Sequence, residues 1–192
     1  TAASLNHYQR MPHLMTMNPV RQLIQRQHFP EAIINGECTF HMWDGSSVEA
    51  QFPRYGYPMP GYSRVHMLYH YGGATLGVVA NSARFIDAYR HPSLEFIVNQ
   101  SIWDENVTQF ADVLPPVCTS LERWDIAEWG NCSGYGFHHQ NGANHRMMVM
   151  QHKCIEPLGE SKSDYQIFLD IMTRLGFGAL YSEGGCTELD WC

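Results

Sequence analysis

Residues 64–98 constrain the fold more than any other stretch. "RVHMLYHY" (64–71) has the composition of a buried strand and runs directly into "GGATLG" (72–77). "NSARFIDAYR" (81–90) then carries a helical pattern, with Asn81 or Ser82 placed to cap it. "HPSLEFIV" (91–98) breaks that helix at Pro92 and supplies a second apolar strand. The connection is far too long for a hairpin. It predicts two parallel strands joined by a right-handed crossover. The expected class is therefore α/β, an open and mostly parallel sheet with helices on both faces.

The flanking segments fit one such domain spanning residues 1–192. Residues 1–28 read as a peripheral N-terminal segment. Within it "NPVRQLIQRQ" predicts a helix start, with Asn18 as N-cap, Pro19 in the first turn, and Val20, Leu23, Ile24 and Gln27 on one face. Residues 35–64 are rich in Gly, Pro and aromatics and predict a long loop or an irregular hairpin inserted before the parallel pair. "WDENVTQF" (103–110) predicts a short helix, "ADVLPP" a third strand ended by its prolines, and "RMMVMQHK" (146–153) another strand. "SDYQIFLDIMTRLGFG" predicts a helix capped by Ser163 or Asp164, with Ile167, Phe168, Ile171, Met172 and Leu175 as its apolar stripe and Gly176 at its stop. The abrupt ends suggest a processed chain or a piece of a larger one.

Charge and cysteine usage narrow the function. With 12 Lys+Arg against 19 Asp+Glu, the net charge of −7 disfavours a general nucleic-acid binder. Anionic ligands would have to be held by backbone amides and individual arginines. No apolar run approaches the roughly 20 residues of a membrane span. The six cysteines form no C-x-x-C pair, which excludes zinc ribbons and thioredoxin-like motifs and suggests a reducing, cytoplasmic compartment, with the periplasm as the alternative.

Open parallel sheets bind ligands at the carboxyl ends of their strands. Gly72 and Gly73 follow the first strand there and permit close backbone approach, or else form a plain turn. Asn99 and Gln100 follow the second strand; each amide offers donor and acceptor to a base edge, or is an ordinary polar strand end. Arg123 lies past the third strand and could clamp phosphate or stack on a base, or simply pair with Glu122 and Asp125. Asp164 is either a helix cap or a carboxylate able to accept two hydrogen bonds from guanine. His138, His139, His145, His152 and Cys154 could ligate a metal, but their spacing matches no known ligand pattern. No G-x-S-x-G elbow is present.

Five segments in order, "PEAIINGECTFHMWDG", "LYHYGGA", "LEFIVNQSIW", "ADVLPPVCTSLERWDI" and "GESKSDYQIFLDIMTRLGF", resemble the third domain of the dimethyl sulfoxide reductase family. The resemblance covers about residues 29–180. It implies a dinucleotide-binding, Rossmann-like domain of a molybdenum or tungsten enzyme that carries two molybdopterin guanine dinucleotides. Carried over by motif, it puts Gly72, Gly73, Ala74 and Thr75 beside the cofactor and Asn99 and Gln100 near a guanosine. It also brings Arg123, from the block holding Asp112, Pro116 and Glu122, to the nucleotide, and makes Asp164 the reader of guanine. It implies no metal ligand within this segment. Trp124, Tyr135 and His138 would line a substrate funnel.

Ala74 stands where the family has Asn, Gln100 where it has an acid, and one extra residue lies between Gln100 and Asp112. These departures point to a divergent branch that moves a hydroxyl between phenolic rings, with sulfoxide or N-oxide reduction as the alternative. The partners so implied are the rest of a large subunit, an iron–sulfur electron-transfer subunit and a phenolic substrate. A non-catalytic nucleotide-binding domain of similar architecture is the competing class.

Overall fold

The computed structural model describes residues 20–41, 54–71, 75–127 and 149–192. The parallel pair expected from the crossover is present. Strand β3 (Met67–Tyr71) lies parallel to β4 (Phe96–Gln100), with Met67 opposite Phe96 and Tyr71 opposite Gln100. Before it, β1 (Cys38–His41) and β2 (Arg54–Tyr57) pair antiparallel, so the aromatic-rich insertion contains a two-stranded element. After it, β5 (Asp125–Ala127) and β6 (Val149–Gln151) form a second antiparallel pair. None of the three small sheets closes on itself.

Between β3 and β4 run α2 (Thr75–Val78) and α3 (Ser82–Tyr89). Phe85, Ala88 and Tyr89 are buried on α3 at a helical spacing. They form the main core with Ile33 of α1 (Phe29–Ile34), Leu94, Ile97 and Val107, and Leu68 packs against that cluster. Strand side chains alternate between faces. Leu68 and Ile97 therefore face α3, while Tyr69 points the other way, onto Phe168 of α4 (Asp164–Arg174), with ring centroids 5.5 Å apart. A smaller core of Ala32, Phe40 and Tyr57 lies under the β1–β2 pair. Two short helices, α5 (Gly178–Tyr181) and α6 (Glu188–Trp191), close the described chain.

Several expectations are corrected. Residues 20–25 are not helical. A 3-10 turn at Arg26–His28 leads into α1, which carries a proline in its first turn. Gln22 is drawn into tertiary bonds, donating to the Ser63 carbonyl at 2.9 Å and accepting from the Met59 amide at 2.8 Å. Leu23 and Ile24 still reach the smaller core, so their apolar spacing serves a loop. Asn18 and Pro19 lie outside the described residues.

The helix expected at 103–110 shrinks to a 3-10 turn at Thr108–Phe110, because Asp104 and Glu105 accept from the hydroxyls of Thr108 and Ser101. The third strand forms only isolated parallel bridges, Val98 with Val113, Ser101 with Pro116 and Val117 with Lys162. Pro115 and Pro116 have no N–H to continue a ladder. Asn81 precedes α3 with a left-handed backbone, φ 57°, and makes no side-chain cap bond. Leu175 is the C-cap of α4 and exposed, rather than part of a buried stripe.

Candidate functional site

The isolated bridges give the parallel pair its continuation. They set the segment 113–117 beside β4, and Lys162 beside that segment. The Asn99 amide donates to the Val113 carbonyl at 3.1 Å, and the Cys118 amide to the Lys162 carbonyl at 2.9 Å. Asp112 fixes the junction by accepting from the Ile97 amide at 2.8 Å. Four chain segments thus run side by side in one direction. Tyr71 ends β3, Asn99 and Gln100 end β4, and Ser163 and Asp164 follow Lys162, so all lie at the carboxyl ends of their segments.

One face of this rim carries a histidine network. His70 and Asn99 are register partners. Nδ1 of His70 lies 2.7 Å from Oδ1 of Asn99, and Nε2 lies 2.5 Å from Oγ1 of Thr75. Asn99 is 2% exposed, and its Nδ2 is buried with no hydrogen-bond partner among the described residues. Thr75 is buried as well. Gly72, Gly73 and Ala74, between β3 and α2, lie outside the described residues.

The opposite face brings three expected site residues into contact. Gln100 is 1% exposed. Its Oε1 accepts from the Tyr69 hydroxyl, and its Nε2 donates to Oδ1 of Asp164 at 2.6 Å. Arg123 donates through Nη1 to Oδ2 of Asp164 and through Nη2 to Oδ2 of Asp125 at 3.0 Å. Arg123 Nε is buried with no hydrogen-bond partner among the described residues. Burial, and secondarily the Asp164 carboxylate, push the Tyr69 phenol above its ordinary pKa, so it keeps its proton. Asp164 does not cap α4. Ser163 does, accepting from the Gln166 amide at 3.1 Å, and Asp164 takes the first helical position.

Glu122 pairs with neither Arg123 nor Asp125. It is 4% exposed and ties two loops together. Oε2 accepts from the Thr119 amide and hydroxyl, each at 2.7 Å, and Oε1 accepts from the Leu158 amide at 2.7 Å. These bonds, led by the two from Thr119, hold its carboxyl below the usual pKa. Thr119 to Glu122 is a capping box, and the T-x-x-E pattern was there to find it. Glu122 precedes Arg123, and the loop it grips leads into Asp164.

Two clefts adjoin this cluster. One of about 250 Å³ is lined by Arg123, Asp164, Tyr165, Glu188 and Trp191, among others. A larger one of about 530 Å³ is lined by Cys118, Glu122, Lys153, Lys162 and Gln166, among others. Trp124 and Glu188 line both. Burial raises the Glu188 carboxyl pKa, opposed by a hydrogen bond from the Trp124 backbone and by Arg123. Trp124 is half-buried with its ring against His152, centroids 5.0 Å apart. Tyr135 and His138 lie outside the described residues, as do His139 and His145. Among the described residues no group of three or more His, Cys, Asp or Glu could hold a metal ion. Cys38, Cys118, Cys154, Cys186 and Cys192 are free thiols, and Cys132 lies outside the described residues.

The family model described as molybdopterin oxidoreductase matches residues 3–174, most of this chain. The chain belongs to the molybdopterin oxidoreductase family. It is 44% identical over 173 residues to the pyrogallol hydroxytransferase large subunit of Pelobacter acidigallici, covering 89% of this chain and 20% of that protein. It is 33% identical over 131 residues to a dimethyl sulfoxide/trimethylamine N-oxide reductase of Cereibacter sphaeroides, covering 68% of this chain and 14% of that one. A trimethylamine-N-oxide reductase of Vibrio vulnificus is 34% identical over 83 residues, 43% of this chain and 9% of its own. The chain thus spans about a fifth or less of the length of these relatives. The described residues contain no helix long and apolar enough to cross a membrane.

Proposed function

We propose that this domain holds a guanosine arm of a bis(molybdopterin guanine dinucleotide) cofactor in a molybdenum or tungsten enzyme. One observation carries the reading. Gln100, Arg123 and Asp164, far apart in sequence, form one bonded cluster at the carboxyl ends of neighbouring parallel segments. The same alignment supports a Rossmann-like sheet.

The residues fit such a ligand chemically. Asp164 is partly exposed, and a carboxylate has about four acceptor sites, of which two are used. The remaining ones suit the N1–H and 2-amino donors of guanine. Arg123 Nε and Asn99 Nδ2, without partners among the described residues, are donors, and phosphate and carbonyl oxygens are acceptors. Thr75 and the glycine turn, Gly72, Gly73 and Ala74, would lie along the same arm. The cofactor, when bound, supplies the redox chemistry at its metal, while this domain supplies position and electrostatics.

For the reaction we favour hydroxyl transfer between phenolic rings, from pyrogallol to phloroglucinol, because of the 44% identity to a pyrogallol hydroxytransferase large subunit. The reductase relatives support sulfoxide or N-oxide reduction as the second reading. The rest of a large subunit and a second, iron–sulfur subunit belong to the same proposal, with Trp124 as a pocket-lining residue. The test is acid extraction of the purified protein with nucleotide and metal analysis. GMP released together with molybdenum or tungsten is the expected result. A protein that yields no guanine nucleotide would overturn the reading in favour of a non-catalytic domain.

A further inference from the structure

Resting on that reading, we infer that Tyr69 and Gln100 are positioning residues that set the Asp164 carboxylate for guanine and so fix the choice of base.

The direction of the relay follows from chemistry. An ionised carboxylate only accepts hydrogen bonds. The atom of Gln100 facing Asp164 at 2.6 Å must therefore be the amide nitrogen. That turns the amide oxygen toward Tyr69, and the phenol must donate. The phenol is suited to do so, since burial favours its protonated form. The relay runs one way, from the Tyr69 hydroxyl through the Gln100 amide to Oδ1 of Asp164.

Packing leaves little room for another arrangement. Gln100 is 1% exposed, so an amide turned the other way would press its oxygen against the Asp164 carboxylate and leave the Tyr69 hydroxyl facing an amide N–H. The Tyr69 ring is held against Phe168 of α4, the helix that also bears Asp164. Gln100 has its oxygen and one amide hydrogen engaged inside the protein. Its effect on a nucleotide passes through Asp164, whose other oxygen is held by Arg123.

A carboxylate fixed at both oxygens can present its free lone pairs to two parallel donors. Guanine offers N1–H and the 2-amino group. Hypoxanthine offers only N1–H. Adenine turns an N1 lone pair toward the carboxylate. Such a site discriminates by leaving groups unpaired when the wrong base enters.

The test uses the whole protein prepared without its cofactor, with GDP, IDP and ADP as probes in calorimetric titration. The native protein is expected to hold GDP about tenfold more tightly than IDP, the worth of one such hydrogen bond, and ADP more weakly still. Tyr69→Phe keeps the ring against Phe168 and removes only the hydroxyl. It is expected to cut the GDP-to-IDP preference to about threefold or less. A purely structural role for Tyr69 would weaken GDP and IDP by the same factor, and an unchanged ratio would overturn the inference. If the Tyr69→Phe protein is too unstable to titrate, Gln100→Asn carries the same test, since its shorter side chain cannot span Tyr69 and Asp164. Asp164→Ala separates the two levels. A lost preference in Asp164→Ala with an intact one in Tyr69→Phe rejects the relay alone. An intact preference in Asp164→Ala rejects the guanine site itself.

Discussion

Arg123 and Asp164 stand 41 residues apart in sequence and form an ion pair, Nη1 to Oδ2, at the rim of the parallel segments. Asp164 also accepts from Gln100, so removing its carboxylate leaves two donors without an acceptor, one of them buried. Asp164→Asn keeps the shape but turns one acceptor oxygen into a donor, which faces either Gln100, Arg123 or guanine with the wrong sign. We expect more than a tenfold fall in GMP recovered per chain after acid extraction. Asp125→Ala is the control. Its pair with Arg123 is partly exposed, and it should change nucleotide recovery little.

Glu122 gives a pH-dependent prediction. Hydrogen bonds from Thr119 and Leu158 lower its pKa in the folded chain from the ordinary 4.5. A depressed carboxylate contributes stability above its unfolded pKa and loses it as pH falls through the folded value. Glu122→Gln cannot accept at both ends, so at pH 7 it should melt several degrees below the native protein. Below pH 4.5 that gap should narrow and close as the native Glu122 protonates. Melting curves of both proteins between pH 3 and 7 provide the measurement. A gap of constant size would refute the assignment.

The crossover at 64–98 was legible because strand, helix and strand differ in period, and a connection of that length, carrying a helix, suits the parallel pair that forms. Asn99 and Gln100 were legible as amides ending an apolar strand, Arg123 as a cation past the third strand, and Asp164 as a carboxylate at a helix start. What each one touches was not. Nothing local to Gln100 shows that its amide is filled by Tyr69 and Asp164, because both partners arrive from other parts of the chain. The helix expected near residues 18–27 had the right spacing, but Gln22 is claimed by Ser63 and Met59. The helix at 103–110 lost to short polar side chains that bond locally. His70 could have been found from the strand register, since it lies opposite Asn99 on the same face.

Ile97 joins the site to the core. It is 2% exposed and packs with Phe85, Ala88 and Val107, two residues before Asn99. Ile97→Ala leaves a cavity in that cluster and should cost about 2–5 kcal/mol in denaturant unfolding. A cost below about 1 kcal/mol would mean the cluster collapses onto the smaller side chain.

Ser163 and Asp164 are neighbours with separable roles. Ser163 satisfies the Gln166 amide at the start of α4, so Ser163→Ala should cost about 1 kcal/mol of stability. Asp164 makes no such cap bond and holds Gln100 and Arg123 instead. Nucleotide recovery should therefore survive Ser163→Ala and fail in Asp164→Ala. Unfolding and acid extraction performed on both variants separate capping from recognition. Equal losses of nucleotide would show that helix integrity alone governs binding.

Glu188 runs opposite to Glu122. Burial raises its pKa from 4.5, and the bond from the Trp124 backbone and the Arg123 charge only partly offset this. A carboxyl with a raised folded pKa binds its proton more tightly when folded, so stability falls as pH rises from 4.5 through the raised value. Glu188→Gln abolishes that dependence. The variant should match the native protein at pH 4 and exceed it at pH 7 in melting temperature. Glu188 lines the cleft with Arg123 and Asp164, so removing its charge should also tighten the binding of an anionic nucleotide such as GDP held there. Melting curves at the two pH values and a GDP titration at pH 7 test both effects. Weaker GDP binding by Glu188→Gln would show that Glu188 serves mainly to orient Arg123, and that its charge assists the nucleotide.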